Sequence, residues 1–300
     1  MAKISVVINT LNEEKLLKNC LDSVKWADEV VVTNMHSDDE SAKVAKTAGG
    51  KVYLIKKENF VELARNFGIS KASGDWVLIL DPDEEVPESL AKRLREIADK
   101  MEEIDFVRIP RKNLIFGKWM KASMWWPDYN IRFFRKGKVS WEGVGIHQPP
   151  QTEGLGIDLE QKETWAILHH HYESLSQYIE RLSRYTAVQA KDLVKMNYKF
   201  SWQDLITKPT GEFLGRFFAN RGFEDGVHGL ALSLLQAFSF LIMYLRVWEI
   251  EKFKEGEIEI KELKETKKKL GFEIDWWFKH GTFSKNPFKR FLQRVKNRIS

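Results

Sequence analysis

The stretch Gly74-Asp75-Trp76-Val77-Leu78-Ile79-Leu80-Asp81-Pro82-Asp83-Glu84-Glu85 carries the clearest structural signal in the chain. Its apolar run, Val77 to Leu80, ends abruptly in four carboxylates within five positions. An apolar run of this length predicts a strand that is buried on both faces of a parallel sheet. Ligands of open α/β sheets bind at the carboxyl ends of the strands. The sequence therefore places these acids where a ligand would bind.

Two interpretations of the acids remain open on spacing alone. Asp81 and Asp83, with one proline between them, are crowded enough to need a counter-charge, and such a pair suits a hard divalent cation that also holds phosphate oxygens. The alternative is a solvated acidic turn before a helix, because Pro87-Glu88-Ser89 is typical of a helix start.

Composition sets the class of protein. The 300 residues are 43% hydrophobic and 30% charged, which is ordinary for a folded protein with a sizeable core. A single cysteine, Cys20, excludes an internal disulfide and is expected to be a buried structural thiol. The net charge of +5 is unevenly spread, since residues 281–300 contain six Lys or Arg and no acid. That segment indicates an anionic surface as its partner.

Strand and helix patterns alternate over about the first 100 residues, which predicts an α/β fold with a mostly parallel sheet and helices on both faces. Before the acidic strand, strands are expected at 4–9, 29–33 and 51–55, and helices at 14–25, 41–48 and 61–72.

The predicted strands end in polar residues. Right-handed connections bring such ends to one edge of the sheet, where a nucleotide could lie. The first turn contains no glycine-rich phosphate loop, so the phosphates need another counter-charge, which a metal on Asp83 together with Arg65 would supply. The polar residues expected to hold the nucleotide are Thr10, Asn12, Asn34 and Asp39.

Together these motifs resemble glycosyltransferase family 2 of the GT-A fold. The resemblance covers roughly residues 3 to 250 and is strongest to a bacterial subgroup containing lipopolysaccharide-core β-glucosyltransferases. The matching segments, in order, are Val7-Ile8-Asn9-Thr10-Leu11-Asn12-Glu13-Glu14, Ser37-Asp38-Asp39-Glu40-Ser41, Ala64-Arg65-Asn66-Phe67-Gly68-Ile69, and Gly74-Asp75-Trp76 leading to Asp81-Pro82-Asp83-Glu84.

The resemblance implies a Mg²⁺ or Mn²⁺ ion on the Asp-x-Asp element, with Asp83 as its main ligand and Asp81 beside it. It also implies that Thr10, Asn12, Glu13 and the end of the second strand hold the nucleoside of a sugar nucleotide, most often one based on UDP. These enzymes commonly place an aspartate against the uracil ring, where this chain has Asn34. An amide can still donate to and accept from a pyrimidine.

The resemblance further implies a catalytic base in an acidic motif a few residues before an arginine. Inverting transfer needs a carboxylate that removes the acceptor's hydroxyl proton. Asp128, followed by Arg132, is the best match, although the usual Glu-Asp pair is absent, and Glu142 is the reserve candidate. An aspartate in a surface turn is the alternative interpretation of Asp128.

Histidines are candidates for completing the metal site. His147 occupies a position where GT-A enzymes carry such a histidine, although Gln148 follows it instead of an acid. His169-His170-His171 cannot all converge, because consecutive residues of a strand point to opposite faces. We expect His169 to face the site and the other two to be structural or exposed.

The last hundred residues have a different character. Residues 229–245 are almost entirely apolar but short of the roughly 20 residues of a membrane span, so a helix in the membrane interface or packed on the protein is expected. Residues 287–299 form a basic amphipathic pattern that suits anionic lipid headgroups. We therefore predict a GT-A catalytic domain over 1–205 and a helical, membrane-associating region over 206–300.

The sequence as a whole predicts an inverting, metal-dependent transferase at the cytoplasmic face of the cell membrane. Its donor would be a nucleoside diphosphate sugar and its acceptor a lipid-linked or cell-envelope glycan. A non-catalytic membrane adaptor that keeps a nucleotide site and a sugar nucleotidyltransferase are the alternatives, the latter without the expected lysine-bearing glycine loop. Nucleic acid is not expected as a partner, because the regular apolar face of 287–299 suits lipid better.

Overall fold

The computed structural model describes residues 1–56, 61–141 and 149–281. The candidate residues Glu142 and His147 and the basic segment 287–299 lie outside these ranges. The chain forms two compact units, one of Met1–Leu114 with Trp126–His171 and one of Ile115–Trp125 with Tyr172–Ser300. The functional division at residue 205 stays a prediction.

The predicted alternation of strands and helices is confirmed, and each of the first seven elements ends within two residues of its expected bound. The elements of this part are β1 (Ile4–Thr10), α1 (Glu14–Ser23), β2 (Glu29–Asn34), α2 (Ser41–Thr47), β3 (Lys51–Leu54), α3 (Val61–Lys71), β4 (Trp76–Leu80), β5 (Glu84–Glu85) and α4 (Glu88–Lys100). The remaining strands are β6 (Phe106–Ile115), β7 (Lys118–Trp119), β8 (Asp128–Arg135), β9 (Val139–Ser140), β10 (Gln151–Thr152), β11 (Gly156–Asp158) and β12 (Ile167–Tyr172).

The main sheet of the described residues has the strand order β3-β2-β1-β4-β8-β6-β12-β5. Strands β1 to β4 are parallel to one another, whereas β8 runs antiparallel to both β4 and β6. Thr10 at the end of β1 pairs with Asn34 at the end of β2, and Ile8 pairs with Leu80. The polar residues that follow these strands therefore share one edge of the sheet, as the sequence predicts.

Strand β4 is buried on both faces. All five of its residues are completely inaccessible to solvent. Leu78 and Leu80 belong to the core that α1 and α4 cover, while Val77 and Ile79 belong to the core on the other face, which includes Ile69 of α3. Removal of both faces from water stabilises the strand through the hydrophobic effect and fixes where its carboxyl end lies.

A buried carboxylate ties together the opposite, amino end of the sheet. Glu29, at the start of β2, accepts hydrogen bonds from Ser5 Oγ at 2.5 Å, from the Ser73 backbone N–H at 2.7 Å and from Lys51 Nζ at 2.7 Å. Burial raises the pKa of Glu29, but these donors outweigh it and lower the pKa to about 2. The side chain thus links the amino ends of β1, β2 and β3 to the turn before β4.

The second unit is helical. Its helices are α5 (Leu175–Lys195), α6 (Asp204–Leu214), α7 (Val227–Ile250) and α8 (Ile260–His280), and a π-helical turn, Gly215–Ala219, follows α6. Gly229 of α7 approaches the turn at Gly222 so closely that a Cβ atom on Gly229 would lie 1.8 Å from the Gly222 carbonyl oxygen. Only glycine fits at this contact.

Helix α7 is longer than its apolar run. The sequence predicts an apolar segment over 229–245, and the helix extends it to 24 residues because the flanking polar residues continue the helical hydrogen bonding. By length and composition α7 could cross a membrane; one third of its most apolar window is buried in the protein. The charged helix α8 follows, beginning at Ile260 and ending at His280.

Candidate active site

The acids after β4 are buried and bound by arginine. Arg132, on β8 and 2% exposed, donates from Nη2 to Asp81 Oδ2 at 2.5 Å and to Glu84 Oε1 at 2.6 Å. Its strand lies antiparallel to β4, with Phe133 paired to Leu78, which brings the guanidinium to the end of β4. The burial of these groups requires the pairing, since an uncompensated buried charge is very costly.

Two further arginines surround the same carboxylates. Arg65 of α3 donates from Nη2 to Asp81 Oδ1 at 3.0 Å, and Arg111 of β6 donates from Nη1 to Glu84 Oε1 at 3.3 Å. Burial raises the pKa of Asp81, but Arg132 and Arg65 hold it well below its usual range. The counter-charge that the sequence assigned to a cation is therefore supplied to Asp81 by arginines, which long-range packing brings together.

The charges of the cluster do not cancel. The carboxylates of Asp81, Glu84 and Asp128 pair with three guanidinium groups, and the Asp83 carboxylate beside His169 is a fourth, which leaves one negative charge in excess in this set. Asp83 is 8% exposed, and its Oδ2 lies 3.6 Å from His169 Nε2. A site with this surplus attracts a cation.

Asp128, the candidate base, opens β8 directly opposite Arg111 of β6. Its Oδ2 accepts hydrogen bonds from Arg111 Nε at 2.9 Å and Nη2 at 2.5 Å and from Asn113 Nδ2 at 3.1 Å, and its Oδ1 accepts one from Asn130 Nδ2 at 3.1 Å. Burial raises the pKa of Asp128, but the Arg111 charge and the hydrogen bonds from Asn113 and Arg111 lower it below its ordinary value. Asp128 is therefore ionised at neutral pH, as a base must be.

The three consecutive histidines divide between the faces of β12. His170 Nε2 lies 2.9 Å from Glu85 Oε1, away from the acid cluster. His169 is 4% exposed and points into the cluster, where its Nδ1 is 2.6 Å from Asn113 Oδ1. His171 lies on the same face as His169, with its Nδ1 3.2 Å from His169 Nε2, a contact compatible with the structural role expected of it. Residues two apart on a strand share a face.

The nucleoside end of the candidate site lies beside β1 and β2. Thr10 and Asn34 are buried and paired in register, and Thr10 Oγ1 makes no hydrogen bond within the described residues. Asn34 Oδ1 accepts from the Ser37 N–H at 2.7 Å, so its Nδ2 is the group left to meet a ligand. Asn12, with φ of 56°, accepts from the Asp38 N–H at 2.8 Å and orders the same loop.

Asp39 has contacts that account for its carboxylate without a nucleotide. Asp39 Oδ2 accepts from the Glu14 N–H at 3.0 Å, and Oδ1 accepts from the Ser41 N–H at 3.0 Å and from Ser41 Oγ at 2.6 Å. The carboxylate thus caps α1 and α2 together, a role that favours acceptor side chains at helix starts. Glu13 precedes α1, and its N–H donates to Ser41 Oγ at 3.2 Å.

Sequence reasoning did not single out Arg111 and Asn113. Both lie near the end of β6, which runs from Phe106 to Ile115. The polar residues Arg111 and Asn113 lie two positions apart on this strand, so both face the cluster. Two polar residues at that spacing in a strand were the feature of the sequence that could have identified this pair.

The described residues contain no group of three or more His, Cys, Asp or Glu side chains arranged to hold a metal ion. These side chains would therefore supply fewer than half of the ligands of a cation bound here. Asp83 Oδ2 and His169 Nε2, which lie 3.6 Å apart, are the two atoms best placed to bind such a cation.

Comparison with known proteins identifies the family. Residues 5–151 match the model of glycosyl transferase family 2. An uncharacterized glycosyltransferase of Rickettsia typhi is 30% identical over 258 residues, which cover 83% of this chain and 88% of the relative. The chain belongs to glycosyltransferase family 2. The predicted family, the GT-A fold class and the enzyme class are confirmed.

Two further proteins are similar to this family-2 glycosyltransferase. The lipopolysaccharide core biosynthesis glycosyltransferase LpsC of Rhizobium meliloti is 23% identical over 244 residues, covering 79% of this chain and 89% of LpsC. Among solved structures, glucosyl-3-phosphoglycerate synthase of Mycobacterium tuberculosis, crystallised with Mn²⁺, UDP-glucose and phosphoglyceric acid, is 25% identical. It covers 39% of this chain and 45% of its own, with a TM-score of 0.32.

Proposed function

We propose that this family-2 enzyme is an inverting transferase that moves a sugar from a nucleoside diphosphate donor, UDP being the expected nucleotide, to a lipid-linked or cell-envelope glycan. The observation that carries the proposal is the buried cluster at the end of β4. It combines an ionised carboxylate, Asp128, with arginines and with a carboxylate–imidazole pair, Asp83 and His169. The residues proposed as base, diphosphate site and cation site are thus neighbours, which supports the proposal.

The donor atoms fit a divalent cation that is held largely by its substrate. Asp83 offers oxygen and His169 offers nitrogen, a combination that suits Mn²⁺ and is compatible with Mg²⁺. The excess negative charge of the cluster favours such an ion, and diphosphate oxygens would complete its coordination. When bound, the cation supplies charge neutralisation for the leaving diphosphate.

The side chains of this chain account for the remaining steps. Asp128 takes the hydroxyl proton of the acceptor while the acceptor oxygen bonds to the anomeric carbon, and the bond from that carbon to the diphosphate breaks on the opposite side. Arg111 binds Asp128 Oδ2, so Oδ1 is the more available oxygen for the proton. Thr10, Asn12 and Asn34 hold the nucleoside, with Asn34 Nδ2 donating to a carbonyl of the base.

Exposed apolar surface in the helical unit supports a membrane location. Helix α7 exposes a stripe at helical spacing, Val227, Leu230, Leu234 and Phe238, whose exposed fractions are 80%, 38%, 52% and 42%. Helix α8 exposes Phe272, Trp276 and Phe278 in a segment that Lys269 and Lys279 flank and that also contains two acids. Apolar and aromatic faces flanked by lysine suit the lipid headgroup region. With the basic pattern of 287–299, they support the proposed location at the cytoplasmic membrane face.

Nucleotide binding tests the donor site. We would measure thermal unfolding of the wild type, Asp83→Ala and the control Asp22→Ala, which removes an exposed acid of α1, with UDP, GDP, ADP, CDP or dTDP, each with and without Mn²⁺. A ligand at 100 times its dissociation constant adds roughly 2.7 kcal/mol. We expect a Mn²⁺-dependent rise for UDP that Asp83→Ala loses and Asp22→Ala keeps. No rise with any nucleotide would refute the proposal.

A second measurement separates the enzyme from a membrane adaptor. Vesicles with and without anionic lipid would be floated with the protein, and sugar transfer from labelled donor to bacterial membrane extract would be followed for wild type and Asp128→Asn. We expect binding to anionic vesicles by both proteins and transfer by the wild type alone. Vesicle binding with no transfer by the wild type would favour the adaptor.

A further inference from the structure

We propose that Asn113 is a positioning residue whose one amide fixes both the candidate base and the candidate cation ligand. The inference rests on the proposed function. Asn113 is 1% exposed on β6. Its Nδ2 is 3.1 Å from Asp128 Oδ2, and its Oδ1 is 2.6 Å from His169 Nδ1.

The direction of each hydrogen bond follows from Asp128. An ionised carboxylate has lone pairs and no proton, so only a donor can face it. The amide nitrogen of Asn113 must therefore point to Asp128, and its oxygen must point to His169. An oxygen acceptor 2.6 Å from His169 Nδ1 requires a proton on that nitrogen. The charge of Asp128 thus selects the Nδ1–H tautomer of His169 through a single amide.

The selected tautomer leaves the Nε2 lone pair of His169 where a cation would use it. Nε2 faces two groups, Asp83 Oδ2 at 3.6 Å and His171 Nδ1 at 3.2 Å, and a cation bound to Nε2 would take the place of the contact with His171. Two electron-rich atoms facing each other at this separation favour a cation between or beside them. A side chain that bonds to the other ring nitrogen of a metal-binding histidine, as Asn113 does here, fixes the tautomer and orientation of that histidine.

Substitutions of Asn113 separate its two functions. Asn113→Ala removes both hydrogen bonds, whereas Asn113→Asp, of nearly the same shape, keeps an acceptor for His169 and loses the donor to Asp128. Asn130→Ala is the matched control, because Asn130 donates to Oδ1 of the same Asp128 carboxylate and makes no recorded hydrogen bond with His169. Asn113→Ala and Asn130→Ala each remove one hydrogen bond from the Asp128 carboxylate, but only Asn113→Ala also removes the hydrogen bond to His169.

The decisive experiment is ¹⁵N NMR of the histidine ring nitrogens in the metal-free protein, with His169→Gln to assign the signals. We expect the Nδ1–H tautomer of His169 in the wild type, in Asn130→Ala and in Asn113→Asp, and its loss in Asn113→Ala. Backbone amide spectra would establish that each variant is folded. Persistence of the Nδ1–H tautomer of His169 in folded Asn113→Ala would overturn the inference, whatever the Mn²⁺ affinity of that variant.

Binding and turnover complete the test. With UDP present, Asn113→Ala is expected to bind Mn²⁺ about 10- to 100-fold more weakly, the usual effect of losing such a partner, while Asn130→Ala binds it as the wild type does. Asn113→Asp should keep Mn²⁺ affinity and lose kcat with little change in donor KM. Equal Mn²⁺ affinity of Asn113→Ala and wild type would contradict the inference alone. Failure of the wild type to bind Mn²⁺ and UDP would instead contradict the proposed function.

Discussion

Arg111 and Asp128 are direct partners in the register of β6 and β8, and Arg111 Nε donates to Asp128 Oδ2 at 2.9 Å. The pairing has two opposite effects on a catalytic base. It keeps the carboxylate ionised at neutral pH, and it lowers the proton affinity that a base uses. The side chain opposite Asp128 therefore sets the pH range over which the proposed reaction can run.

Arg111→Met should raise the pKa of Asp128. The lowered pKa of Asp128 owes much to the Arg111 charge, and a neighbouring opposite charge typically lowers a carboxyl pKa by about 1–3 units. The acidic limb of the kcat/KM profile should move to higher pH by about one unit or more. Arg108→Met is the control, because Arg108 lies on the same strand but pairs with the exposed Asp158. An unmoved limb in Arg111→Met would mean that Asp128 is not the base.

Glu29→Gln should destabilise the protein at neutral pH and do so less in acid. The folded pKa of Glu29, about 2, lies below the ordinary 4.5, so its contribution is fully present above 4.5 and is lost as pH falls towards 2. The difference in the free energy of unfolding should be about 3 kcal/mol at pH 7. Urea unfolding at pH 7 and pH 3 measures it.

The control for Glu29 is Glu40→Gln, which alters an exposed carboxylate paired with Lys43. It should change the free energy of unfolding by less than about 1 kcal/mol at either pH. An equal loss from Glu29→Gln at pH 7 and at pH 3 would show that packing of the side chain, and not its charge, holds the amino end of the sheet.

Gly229→Ala and Gly211→Ala should change stability in opposite directions. A Cβ atom at Gly229 would lie 1.8 Å from the Gly222 backbone oxygen, whereas one at Gly211 of α6 would meet nothing within 4 Å. Gly229→Ala should cost about 1–3 kcal/mol of the free energy of unfolding, as forced overpacking does. Gly211→Ala should add about 0.5–1 kcal/mol, because alanine restricts the unfolded chain. Thermal unfolding of both variants measures these changes. Stabilisation by Gly229→Ala would refute the close contact between Gly229 and the Gly222 backbone.

The sequence was sufficient for the parts of the fold that local patterns determine. The apolar run before Asp81 predicts β4 and its burial, and the polar closures at Thr10 and Asn34 predict the shared edge, because strand period and connection handedness are general rules. The arginine cluster could not be predicted in the same way. Arg132 and Arg65 reach Asp81 from positions 51 and 16 residues away along the chain, and only packing shows that they converge.

The same reasoning explains what the sequence left open in the candidate site. The alternation of strand residues separates His170 from its two neighbours, and the same rule places His171 on the face of His169, where the two side chains are in contact. Asp39 matched a family segment, but its oxygens cap two helices, a local function that a motif does not reveal. Thr10, Asn12, Asn34, Arg65, Asp81, Asp83, Asp128 and His169 stay candidates for the roles predicted, and the structure places them at one sheet edge.

Arg132→Met should destabilise the protein more than Arg65→Met does. Arg132 is almost fully buried and bridges Asp81 and Glu84, whereas Arg65 is less buried and contacts Asp81 alone among these acids. Removal of one partner from a buried ion pair typically costs about 3–5 kcal/mol, because the other charge stays buried. Adding Glu84→Gln to Arg132→Met removes the stranded charge and should recover part of that loss. Urea unfolding of the wild type, the two arginine variants and the double variant gives the comparison. Equal losses from the two arginine variants, with no recovery in the double variant, would mean that Arg132 stabilises the sheet by packing and that the acids are compensated in another way.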